Sequence, residues 1–431
     1  LQEILSDELR KNLKAIGEAE IVVGIPSFNN ARTIGHVVRA CAAGLAKYFP
    51  QRKAVIVNSD GGSTDGTREV VLAAEPDVES LLLVQHRVPV VQRISYPYHG
   101  VPGKGSAFRM VFAVAQQLRA KACVVVDSDL RSIAPHWIEL LAGPVLEREF
   151  DFIAPFYLRH KFDGTITNSI IYPLTRALLG KRVRQPIGGD FGISGRLTAR
   201  FLEKDVWQTD VARFGVDIWM TLTAVAEGFR IGQAYLGAKL HDAKDPGTDL
   251  SSMFQQVVGS LFALLETYEA VWRSTKSSES VPMFGFPFDV GVEPIPINIE
   301  RMVNGFLRGM ADLSEIYRLV LAPETFANLA AAARCPRDRL RITDTLWVHI
   351  VYDFAASYHH RTMDRQHMLQ SLVPLYLGRT ASFVMEVWES TAQEVEERLE
   401  MLCTTFEVEK SYLEQRWQRN SEKEKSHAES D

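Results

Sequence analysis

Cys123-Val-Val-Val-Asp127-Ser-Asp129-Leu130 is the stretch on which the reading of the chain turns. It is apolar, rich in β-branched valine and too short for a helix, so it predicts a buried strand. It ends in two carboxylates separated by one serine. In an open α/β sheet, ligands bind beyond the carboxyl ends of the strands, so both acids stand where a site would form. A pair at this spacing suits a hard divalent cation shared with substrate phosphates. Taken alone, an aspartate at a strand end more often caps the next helix or closes a turn.

The segments before it repeat one pattern. Ile21-Val-Val-Gly-Ile25 reads as a strand, stopped by Pro26-Ser-Phe-Asn-Asn30. Helical spacing follows at Ile34, Val37, Val38, Cys41 and Leu45. Ala54-Val-Ile-Val57 is a second strand, ending in the turn-rich loop Asp60-Gly-Gly-Ser-Thr-Asp65, where Asp65 reads as a helix cap. A third strand is expected between Leu81 and Ser95, then Pro102-Gly-Lys104-Gly105 and another helix. Strands alternating with helices predict a mostly parallel sheet with helices on both faces. The loops match neither a dinucleotide GxGxxG nor a P-loop.

Beyond Phe152 the pattern loosens. Arg159 to Thr167 leads into an apolar helix, Gln185-Pro-Ile-Gly-Gly-Asp190 is a loop, and Asp217 begins a helix. After about residue 246 the pattern is almost wholly helical: one helix from Ser251 to Thr275, and apolar faces along 298–321 and 346–358. The stretch 281–297 reads as an extended strap, and 419–431 as a disordered tail. These divisions predict a catalytic domain over 1–245 and a helical domain over 246–418.

Composition narrows the class. The chain has 431 residues, 46% hydrophobic and 23% charged, with a net charge of -5. That is ordinary globular composition without the basic excess of a nucleic-acid binder. Four scattered cysteines exclude a CxxC zinc cluster and favour a reducing compartment. No apolar run is long enough for a membrane span. The acidic, amphipathic start is unlike a signal peptide, so a cytoplasmic protein is expected.

Taken in order, Pro26–Asn30, Asp60–Asp65, Pro102–Gly105, Asp127-Ser-Asp129 and His241 resemble the motifs of nucleotide-sugar glycosyltransferases of the A-type fold. Pro102-Gly-Lys-Gly105 before the acidic pair and Gln185-Pro-Ile-Gly-Gly189 after it make the chain most similar to a retaining group. That group makes glucosylglycerate, glucosyl-3-phosphoglycerate and mannosylglycerate. The resemblance covers roughly residues 20–245.

It implies a mixed α/β sheet with helices on both faces and an all-α C-terminal region. It further implies transfer of glucose or mannose from UDP-glucose or GDP-mannose to D-glycerate or 3-phosphoglycerate. Asp129 and His241 become ligands of Mg2+ or Mn2+, and Asp127 a ribose contact. Pro26, Ser27, Asn30 and Asp60 would cradle base and ribose, with Lys104 near the nucleotide. Thr165, Thr167, Gly189, Asp190 and Asp217 fall on the sugar and acceptor side.

Two departures matter: Asn30 stands where many relatives carry an acid, and Thr165 where users of 3-phosphoglycerate usually carry arginine. The missing arginine favours unphosphorylated glycerate, with Arg159 and Lys161 as the alternative phosphate partners. A homodimer through the helical region is expected. The rival readings are an inverting transferase acting on a polysaccharide or other carrier, and a non-catalytic sugar-nucleotide-binding protein.

Overall fold

The structure is a computed structural model and describes residues 4–74, 91–240, 251–287, 291–293 and 295–418. The chain forms two compact units. The first comprises 1–159, 183–242 and 281–293, and the second 160–182, 243–280 and 294–431. The path therefore leaves the first unit at residue 160, returns at 183 and re-enters it at 281, crossings that no single boundary near 245 would give.

The first unit is built on one eight-stranded sheet. Its strands are β1 (Ile21–Ser27), β2 (Ala54–Asp60), β3 (Gln92–Pro97), β4 (Ala122–Val125), β5 (Phe152–Leu158), β7 (Phe191–Ser194), β8 (Ile231–Ala238) and β10 (Met283–Phe284). Their order is β10-β8-β5-β7-β4-β1-β2-β3. Every pairing is parallel except the two made by β7, which runs antiparallel to both β4 and β5.

The alternation along β1 shows how helices cover both faces. Ile21, Val23 and Ile25 enter the core formed with helices Ala31–Tyr48 and His136–Glu147. Gly24 faces the other way, under helix Lys104–Gln117, where a Cβ would stand 2.3 Å from Val111 Cγ1. A side chain at 24 would push that helix off the sheet.

The second unit is helical apart from the two-residue pair β6 (Lys181–Arg182) and β9 (Glu279–Ser280). The helix expected from Ser251 to Thr275 is two, Ser251–Thr267 and Glu269–Ser274, with the break at Tyr268. The indole of Trp272 donates to Leu265 O at 2.9 Å across that break. The apolar face of 298–321 is likewise shared by Ile299–Asp312 and Ser314–Val320. The strap carries β10, paired parallel with β8. The tail at 419–431 lies outside the described residues.

Candidate active site

β1, β2, β4 and β8 end on one side of the sheet, and the residues beyond them form the site. At the end of β2, Asp60 is buried and fully subscribed. It accepts from Gly62 N at 3.0 Å, Ser63 N at 2.9 Å, Ser63 Oγ at 2.6 Å and Ser27 Oγ at 3.0 Å. Pro26 is buried within β1, opposite Ser59 of β2. Ser27 and Asp60, with Pro26 beside them, shape the two loops that follow their strands. Asp65 joins those loops: one oxygen accepts from Ala31 N at 3.0 Å, the other from Thr67 N at 3.1 Å. It caps two helix starts at once.

Asn30 ties this region to the acidic turn. Its Oδ1 accepts from Phe28 N at 3.0 Å and from Ser128 Oγ at 2.8 Å. A backbone N–H can only donate, so the carbonyl end of the amide is fixed inward. Asp129 follows on the same turn, half-buried.

The centre is a chain of opposite charges. Asp127 Oδ1 lies 2.8 Å from Lys104 Nζ, and Asp127 Oδ2 lies 2.8 Å from Lys239 Nζ. Lys239 also donates to Asp190 Oδ2 at 2.9 Å and Gly188 O at 2.8 Å, so all three of its protons are used, and its side chain is 4% exposed. Lys104 reaches Asp217 Oδ2 at 3.2 Å. Asp190 accepts from Asp127 N at 2.8 Å and from the Tyr157 hydroxyl. Asp217 Oδ1 is buried with no hydrogen-bond partner.

Burial works against every charge here, and the partners decide which survive. Burial pushes the Asp127 carboxyl up, but two ammoniums outweigh it and hold it well below the ordinary range. Burial disfavours both ammoniums as well, yet the facing carboxylates raise Lys104 and Lys239 above their ordinary value. For Asp190 and Asp217, burial prevails over the nearby lysines and their carboxyls are raised.

The glycines of the two conspicuous loops make room for protein groups. A Cβ on Gly188 would stand 2.1 Å from Pro155 Cγ, and one on Gly189, at φ +92, 2.2 Å from Asp127 Oδ2. A Cβ on Gly105 would stand 1.8 Å from Val211 O. At both places the glycine lets one part of the chain pass close to another. Asp190 is itself fully buried and braces Asp127, and offers no surface to a substrate.

Thr165 and Thr167 belong to the second unit. The Thr165 hydroxyl is paired with that of Tyr376, and the residue is buried in the wall of a cavity also lined by Lys161, Asn168, Ser169 and Arg379. Thr167 opens a π-turn, Thr167–Ile171, that runs into helix Tyr172–Leu179. Lys161 donates to Val387 O at 3.2 Å, Trp388 O at 2.5 Å and Ser390 O at 2.9 Å, so it serves as a cap for the end of helix Arg365–Glu386.

His241, the proposed second metal ligand, lies outside the described residues. The chain reaches its last described neighbour, Leu240, beside the acidic turn. Leu240 N donates to Ser132 Oγ at 3.0 Å, and Leu240 O accepts from Arg131 N at 2.9 Å. Among the described residues no group of three or more His, Cys, Asp or Glu could hold a metal ion. Lys239 and Tyr157 escaped the sequence reading. The one available signal was a lysine directly after an apolar eight-residue strand, where burial follows if the strand end is covered.

The mostly parallel sheet carries an acid–lysine cluster beyond its strand ends, and the family comparison makes the chain a glycosyltransferase. Residues 32–263 match the family model described as mannosylglycerate synthase, GT domain, and the chain belongs to that family. No curated protein matches. Solved structures of glucosyl-3-phosphoglycerate synthase from Mycobacterium tuberculosis are similar at a low level. One, in complex with phosphoglyceric acid, is 21% identical over 62% of this chain and 85% of that chain, with a TM-score of 0.42. Another, with Mg2+ and UDP, is 22% identical over 60% and 83%, with a TM-score of 0.41. Likeness at this level does not bear on the chemistry. No described helix is long and apolar enough to cross a membrane.

Proposed function

We propose that the protein transfers a hexose, with retention, from a nucleotide diphosphate sugar to a glycerate-type acid. The observation that carries this reading is the Lys104–Asp127–Lys239 chain at the carboxyl ends of β4 and β8, in a chain of the mannosylglycerate synthase family. Asp127, kept ionised by two ammoniums, is a fixed hydrogen-bond acceptor for ribose hydroxyls. Lys104, the more exposed of the two lysines, is the cation that can turn toward a diphosphate.

The donor set fits a divalent ion. With Asp127 engaged by lysines, Asp129 is the carboxylate left on the acidic turn, and Leu240 brings the chain to that turn one residue before His241. Mg2+ or Mn2+ is held in this way by one or two protein groups together with substrate phosphates. Asp129 and His241 would hold the ion, which when bound neutralises the charge growing on the diphosphate leaving group. Asp217 and Thr167 are the proposed contacts on the sugar and acceptor side.

The acceptor reading leans to unphosphorylated glycerate. A phosphate brings about two negative charges and calls for an arginine fork. Position 165 is threonine with its hydroxyl taken, and Lys161 spends its protons on backbone carbonyls. Arg159, the other basic residue of this segment, lies over the Tyr157 ring, 5.5 Å from its centroid.

The deciding experiment is a turnover panel of UDP- and GDP-sugars against D-glycerate and 3-phosphoglycerate, with and without Mg2+ or Mn2+, with the product anomer read by NMR. Transfer with inversion removes the retaining claim. A preference for 3-phosphoglycerate of tenfold or more, about 1.4 kcal/mol, overturns the acceptor lean. A homodimer is proposed through the helical unit, and a monomer in sedimentation at micromolar concentration would contradict it.

A further inference from the structure

Three features distinguish the two lysines of the site. Lys239 is 4% exposed and has no proton left to offer. Lys104 is 16% exposed and shared between two carboxylates at unequal distance, 2.8 Å to Asp127 and 3.2 Å to Asp217. Asp127 keeps a second ammonium whatever Lys104 does, whereas Lys104 is the one ion-pair partner of Asp217 among the described residues. Asp217 also carries a buried oxygen that has no hydrogen-bond partner among the described residues. An unsatisfied buried carboxylate oxygen is costly to leave so, and in a site it points to a ligand hydroxyl.

We propose that Lys104 is exchanged between Asp217 and the donor's diphosphate. In the free enzyme Asp217 and Asp127 hold the ammonium between them. When the diphosphate enters, Lys104 turns to it, retaining Asp127 and giving up the longer contact with Asp217. The Asp217 carboxylate, now without its ion-pair partner, takes hydroxyl donors from the bound sugar or the acceptor. Donor binding thereby prepares the acceptor side, and donor precedes acceptor. The inference rests on the nucleotide-sugar reading above and adds to it a partner switch at Asp217.

Two consequences separate this from simple repulsion between Asp217 and an anionic ligand. Removing the Asp217 charge should tighten binding, because Lys104 no longer has to be drawn away, and that gain should depend on Lys104. The experiment is calorimetric titration of UDP and GDP with Mg2+ into wild type, Asp217→Asn, Lys104→Met and the double variant. Asp217→Asn is expected to bind the nucleoside diphosphate about fivefold more tightly while turnover falls, and the gain to disappear in the Lys104→Met background. An equal gain in both backgrounds means through-space repulsion alone and overturns the exchange, as does unchanged or weaker binding.

If Lys104→Met does not fold, as judged by thermal melting, Lys104→Gln takes its place in the cycle. An independent readout is the structure of the wild type with UDP or GDP and Mg2+. Lys104 Nζ should lie beyond about 4 Å from Asp217, outside ion-pair range. A retained contact would overturn the proposal. Failure of the wild type to bind either diphosphate would instead strike at the functional reading itself.

Discussion

Gly189 is packed directly against the Asp127 carboxylate: a Cβ built on its backbone falls 2.2 Å from Asp127 Oδ2 and 3.0 Å from Lys239 Nζ. The position also has φ +92, a region that side chains rarely adopt. Both facts trace to one requirement, that the loop before β7 pass under the charged centre without disturbing it.

Gly189→Ala should therefore displace Asp127 or the loop, and lower kcat/KM for the donor by more than about tenfold, with a loss of stability of about 1–3 kcal/mol. Steady-state kinetics and urea unfolding check this. Wild-type kinetics in the alanine variant would mean that Asp127 need not be held in this pose.

Lys239→Met leaves Asp127 and Asp190 facing each other with one cation fewer. Removing one partner of a buried pair costs about 3–5 kcal/mol, so the denaturation midpoint should fall steeply and transfer activity with it. Lys239→Arg should not restore either, because the ammonium is enclosed by Asp127, Asp190 and Gly188 O and a planar, larger head group cannot reproduce its three contacts. A loss below about 1 kcal/mol would show that the cluster relaxes around the vacancy.

Asp129→Ala should reduce metal-dependent transfer by more than about 100-fold, and saturating Mg2+ or Mn2+ should not recover it. His241→Ala should behave alike. Activity lost with metal affinity unchanged would show that these residues are not the ligands.

In the second unit, Asp344 is held by Arg379 Nη2 at 2.7 Å and by Arg398 at 2.6 and 2.8 Å. Burial pushes its carboxyl up, but the two guanidiniums more than offset this and lower it. A depressed carboxyl stabilises the fold above its unfolded value of about 3.9, and that contribution is lost as pH falls through the lower folded value. Asp344→Asn should thus cost about 3 kcal/mol at neutral pH, and its deficit against wild type should close below about pH 4. A deficit independent of pH in thermal melts would assign the loss to packing.

The fold could be read in the sequence where apolar runs end in polar residues, because burial on both faces leaves little freedom in what a central strand can contain. β1, β2 and β4 were legible for that reason. β7 was not: Phe191-Gly-Ile-Ser194 is four residues long and carries no mark of direction. The site was half legible. Asp127 and Asp129 announce themselves beyond a valine run, but Lys239 looks like any charge after a strand until the fold brings it to Asp127, 112 positions earlier in the chain. What the glycines avoid (Pro155, Asp127, Val211) is distant in sequence and could not be read from it.

The reversed direction of β7 has an architectural consequence. Every other strand of the sheet delivers to the site the residues that follow it, whereas β7 delivers those that precede it. Asp190 and Gly189 reach the charged centre as the final residues of a long excursion, 160–182 of which belong to the second unit. That excursion can change in length and content while its return stays anchored by Asp190. Only the last step is constrained: one residue inserted between Asp190 and Phe191 would either carry Asp190 off Tyr157 and Lys239 or turn Phe191 and Ile193 to the opposite face of the sheet.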